Sequence, residues 1–74
     1  MNLKQFLAGV KILRKYYNDP DGYHIDAVHD IVYMYSTDKP LTPQHVKELR
    51  DLGWFQRDLP ETEYDPEEGW EAYV

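Results

Sequence analysis

The chain has 74 residues, no cysteine, 15% aromatic residues and a net charge of −6 at pH 7. One thin core is expected at this length, burying about 60–65% of the unfolded surface. The missing cysteines exclude disulfides, thiolate metal sites and a cysteine nucleophile.

The charge is unevenly distributed. Residues 1–18 carry Lys4, Lys11, Arg14 and Lys15 and no acid, whereas residues 58–74 carry Asp58, Glu61, Glu63, Asp65, Glu67, Glu68 and Glu71 and no base. An acidic surface disfavours nonspecific contact with phosphate backbones and attracts basic surfaces on other proteins. No apolar run approaches the ~20 residues of a membrane span. The N-terminal charges are interleaved with apolar residues rather than preceding them, unlike a signal peptide. A cytoplasmic location is the expectation.

Residues 2–17 read as a first helix. Leu3, Phe6, Leu7, Val10, Leu13 and Tyr17 recur at three- and four-residue spacing, Asn2 suits the cap, and Lys11, Arg14 and Lys15 complement the dipole at the far end. Asn18-Asp19-Pro20-Asp21-Gly22 has turn chemistry. Read as a calcium loop, it would put Tyr17 and Val28 at the first and last ligand positions, where neither offers a carboxylate.

Residues 23–36 admit two readings. Ile25, Val28, Val32 and Tyr35 fit helical spacing. The density of Ile, Val and Tyr favours strands, and a two-residue turn at His29-Asp30 sorts the side chains by face. Ile25 and Ala27 then oppose Met34 and Val32 on an apolar face. His24 and Asp26 oppose Tyr35 and Tyr33 on the other, with Val28 opposite Ile31. The turn lacks the glycine such hairpins favour, so a longer loop is the alternative.

Leu41–Phe55 carries the strongest local signals. Thr42 is the N-cap, Pro43 the first helical residue, Leu41 and Val46 a hydrophobic staple, and Gly53 the left-handed terminator. Val46, Leu49 and Leu52 form the apolar stripe, with Trp54 folding back on Leu49. Residues 56–69 contain Pro60 and Pro66, are mostly acidic, lack periodicity and read as a loop. Trp70–Val74 alternates as a final strand, with Trp70, Ala72 and Val74 inward and Glu71 and Tyr73 outward. The expected fold class is α+β. A single domain, residues 1–74, runs α-β-β-α-β, with two helices on one face of a three-stranded antiparallel sheet.

Catalytic chemistry finds little support. His24, Asp26, His29, Asp30 and His45 are the His-rich set, but they are spread over different elements, so no metal and no cofactor is expected. Ser36 is the only serine and lacks a nucleophile elbow, and no glycine-rich phosphate loop occurs. The uncovered sheet face, with Tyr33, Tyr35, His24 and Asp26, lies beside the loop acids Glu61, Glu63, Asp65, Glu67 and Glu68. These nine residues form the candidate partner-binding set, since tyrosine is favoured at recognition surfaces.

Gly22–Met34 with its His29-Asp30, the run KELRDLGWF over Lys47–Phe55, and the ending GWEAYV resemble features of small, mostly uncharacterised proteins carried by phages and prophages. The resemblance implies an α+β fold. It also implies a non-enzymatic protein that binds and inhibits or redirects a host protein with a basic surface, such as a defence (CRISPR-type) nuclease or another nucleic-acid enzyme. It transfers no functional residue. The alternative is a small nucleic-acid-binding regulator using the basic first helix.

Overall fold

The computed structural model describes residues 1–74, with two helices and a three-stranded antiparallel sheet in the expected order. Helix α1 spans Leu3–Arg14. Asn2 and Gln5 close a reciprocal capping box at its start: each side chain accepts from the other's backbone N–H. The helix ends before Tyr17, as the Tyr16 and Tyr17 amides turn to carbonyls three residues back.

Phe6, Val10, Leu13 and Tyr17 pack inward as their spacing predicts, and Gly9 and Tyr16 join them, but Leu3 is 72% and Leu7 54% exposed. The cause is Gly9. Its bare Cα lets the Trp54 indole lie directly against the helix, stacked on Phe6 with ring centroids 5.6 Å apart. Rotating α1 to present Gly9 carries Leu3 and Leu7 away from the core.

Strands β1 (Ile25–Val28) and β2 (Ile31–Met34) form the hairpin in the predicted register, Ile25 opposite Met34 and Val28 opposite Ile31. His29 has φ +56°, so the tight turn holds a histidine in a conformation that favours glycine. Helix α2 spans Pro43–Asp51, and Thr42 Oγ accepts from the His45 amide. Gly53 has φ +99°. The Gly53 amide donates to Arg50 O at 3.0 Å and the Trp54 amide to Leu49 O at 2.9 Å, the paired bonds of a Schellman terminus.

Strand β3 (Trp70–Tyr73) pairs with β2, giving the order β1-β2-β3. Met34, Trp70 and Ala72 share one face and join Leu13, Tyr16, Tyr17, Leu41, Val46, Leu49 and Trp54 in a single core. Backbone bonds in both directions between Phe55 and Glu71 fasten the end of α2 to the outer edge of β3. The helical layer is thereby drawn toward β3. Ile25 and Ala27, expected inside, are exposed, and Val74, also expected inside, is 55% exposed. No helix is long and apolar enough to cross a membrane.

Candidate partner-binding surface

The face opposite the helices carries Val28, Ile31, Tyr33, Tyr35 and Tyr73, brought side by side by the period of two along each strand. Tyr33 and Tyr35 meet edge to face, with centroids 5.2 Å apart and planes at 74°. Tyr35 is 43% exposed and Tyr33 half-buried. Phe55 lies on this face too, stacked on Tyr73 at 5.3 Å. The neighbours Trp54 and Phe55 therefore serve opposite sides of the sheet.

A half-open bowl of about 480 Å³ occupies the middle of this face, lined by Asp26, Val28, Ile31, Tyr33, Tyr35, Arg57, Glu68 and Glu71. Glu71, expected to be solvent-exposed, is only 1% exposed. It does point to the outer face, but Arg57 folds over it. The guanidinium donates to both carboxylate oxygens, Nε to Oε2 at 3.2 Å and Nη2 to Oε1. This pairing raises the Arg57 pKa above its ordinary value, first through the hydrogen bond and then through the charge of Glu71. Burial pushes the Tyr33 phenol up, and the charge of Glu68 adds to it. The Tyr33 hydroxyl reaches Glu68 Oε1 at 3.5 Å.

The predicted set does not gather at one place. Tyr33, Tyr35, Asp26 and Glu68 line the bowl together. His24 leaves the group: it stacks on Tyr17 at 4.2 Å, bonds Asp19 O and lines a separate hollow with Val10 and Met34. Glu61 and Glu63 lie beside α2, where the Arg50 guanidinium donates to both their carbonyls. Asp65 is half-buried and accepts from the Glu67 amide, while the Glu67 side chain is exposed.

Residues 56–69 form a loop, as read from the sequence, and its path is set by one amide side chain. Gln56 is 2% exposed; its Nε2 donates to Asp65 O at 2.7 Å and Glu68 O at 3.0 Å, and its Oε1 accepts from the Asp65 amide. Tyr64 adds a second tie, accepting from the Leu41 amide at 2.8 Å.

Sequence reasoning missed Arg57, Val28, Ile31 and the buried role of Glu71. Register arithmetic could have found Val28 and Ile31, which share a face with Tyr33. Arg57, the last base of the chain, stands directly before the acidic segment. His29, Asp30 and His45 are not drawn together with His24 and Asp26; no three His, Asp or Glu side chains are arranged to hold a metal ion. His45 Nδ1 instead shares a hydrogen bond with the Tyr16 hydroxyl. Lys4, Lys11, Arg14 and Lys15 lie exposed on the outer side of α1 together with Leu3 and Leu7. Comparison of the chain with protein-family models, curated proteins and solved structures finds no match.

Proposed function

We propose that this is a non-enzymatic binding protein that docks its open sheet face and adjoining acids onto a basic surface of another protein, inhibiting or redirecting it. One observation carries the reading: a row of tyrosine and aliphatic side chains left uncovered by the helices, running from Tyr73, 55% exposed at one end of the sheet, through Ile31 and Tyr33 to Tyr35, 43% exposed at the other, with unpaired carboxylates at the margin. Tyrosine offers large contact area at low entropic cost, and buried aromatic anchors dominate interface energetics. The acidic margin supplies steering toward a positive patch. Taken with the resemblance to small phage and prophage proteins, the partner is a cytoplasmic host protein that handles nucleic acid, a defence nuclease being the leading case.

The test is affinity capture from host lysate with the protein and with a variant combining Tyr35→Ala, Glu61→Lys, Glu63→Lys and Glu67→Lys. These side chains are exposed and outside the core, and Asp65 is spared because it shapes the loop. A partner held by the parent and lost by the variant, at unchanged circular dichroism, supports the reading. A partner retained by the variant rejects the surface assigned to it.

A further inference from the structure

The bowl is unevenly charged. It holds three carboxylates, Asp26, Glu68 and Glu71, and one guanidinium, Arg57. The protein forms two salt bridges, Lys47–Asp51 and Arg57–Glu71, so Asp26 and Glu68 have no cationic partner. Asp26 spends one oxygen on the Ala27 amide and keeps the other free. Glu68 receives only the long bond from Tyr33. Between these two carboxylates stands the Tyr33/Tyr35 pair, with Tyr35 open to solvent.

We infer that this bowl receives an arginine side chain projecting from the partner protein. The inference rests on reading this face as a protein contact, and it names the group the face takes. Three features select it. The net charge of the lining repels anions and attracts cations. Tyrosine ring faces bind cations, and a planar guanidinium stacks on them while its fork of donors serves two carboxylates; a lysine ammonium does neither as well. Val28 and Ile31 provide an apolar wall for the methylene stem that precedes the charge. The bowl already illustrates the fit, because Glu71 on its floor holds the guanidinium of Arg57 through both oxygens. Being half-open, it suits a side chain delivered from outside rather than an enclosed small molecule.

The test is a heteronuclear NMR titration of the isotope-labelled protein with N-acetyl-arginine methylamide, and in parallel with the neutral isostere N-acetyl-citrulline methylamide and the lysine analogue. Saturable shifts at Asp26, Tyr33, Tyr35 and Glu68 are expected for arginine, with a dissociation constant of roughly millimolar order. Citrulline should give none, and lysine should bind several-fold more weakly. Tyr35→Ala and Glu68→Gln should each weaken arginine binding about tenfold without altering shifts on the core side of the sheet. Equal response to citrulline, no saturation at tens of millimolar, or shifts mapping to Glu61, Glu63 and Glu67 instead would overturn the inference. A captured partner indifferent to both Tyr35→Ala and Glu68→Gln would remove the arginine slot while leaving a protein-binding role intact. Arginine bound in the bowl with no partner captured would do the reverse.

Discussion

Gly9→Ala is the sharpest test of how the core is assembled. In an ordinary helix interior this change stabilises by about 1 kcal/mol, since alanine loses less backbone entropy. Here a Cβ at position 9 would fall within contact distance of Trp54 Nε1 and Cε2 and 2.7 Å from Cδ1, closer than real Cβ atoms approach. The indole cannot simply give way: it is 1% exposed and stacked on Phe6. Overpacking a rigid core costs about 1–3 kcal/mol, and full expulsion of a buried tryptophan about 3–5 kcal/mol. With the indole unable to move aside, the penalty lies where these ranges meet, at about 3 kcal/mol or more, and exceeds the propensity gain of about 1 kcal/mol for a net loss of about 2 kcal/mol or more. A chain of this size has about 4–11 kcal/mol of total stability, so the melting temperature should fall by at least about 8 °C. Thermal unfolding followed by circular dichroism and tryptophan fluorescence reads this directly. Combining Gly9→Ala with Trp54→Leu should recover about 1 kcal/mol of the sum of the single effects, because the smaller side chain vacates the seat. A Gly9→Ala protein as stable as the parent would refute the claim that α1 is oriented by this contact.

Three further outcomes follow from particular contacts. His29→Gly should raise stability by about 0.5–1 kcal/mol in chemical denaturation, because φ +56° is costly for any residue with a Cβ; a loss would mean the imidazole makes a compensating contact. Burial, then the charge of Asp38, pushes the Tyr17 phenol from 10.0 up to about 12. Its folded value is raised, so its contribution is complete below pH 10 and disappears as pH rises to about 12. Tyr17→Phe should lose stability at neutral pH through the missing bond to Tyr35 O, yet show a shallower decline between pH 10 and 12; parallel curves would refute the assignment. Arg57→Ala strands the carboxylate of Glu71, which is only 2% exposed, and should lower the melting temperature more than Arg57→Ala combined with Glu71→Gln. The opposite ranking would show that solvent, not Arg57, satisfies Glu71.

What was legible in the sequence is what short-range chemistry decides. Thr42, Pro43 and Gly53 lie at the ends of the element they control, and each acts through bonds spanning at most five residues. The hairpin register followed from a pattern of period two, since a slip by one residue would turn Met34 outward and Tyr33 inward. The misplaced residues answer to distant partners. Leu3 and Leu7 are exposed because Trp54 chose Gly9, forty-five positions away in sequence. His24 turned from the tyrosine face because Tyr17 offered a ring to stack on. The acids of 56–69 looked like one patch, yet Gln56 and Arg50 hold the backbone so that Glu68 enters the bowl while Glu61 and Glu63 stay beside α2.

The same long-range logic explains why the candidate surface exists. The backbone pairing of Phe55 with Glu71 draws the helical layer toward β3, which leaves β1 without cover. Because side chains alternate along an extended segment, that pairing also sends Trp54 into the core, sets Phe55 against Tyr73, and brings Arg57 over Glu71. Core limit and bowl floor are thus consequences of a single junction between α2 and the last strand. A substitution that breaks it should disturb both sides of the sheet together, whereas Tyr35→Ala should disturb only the outer one.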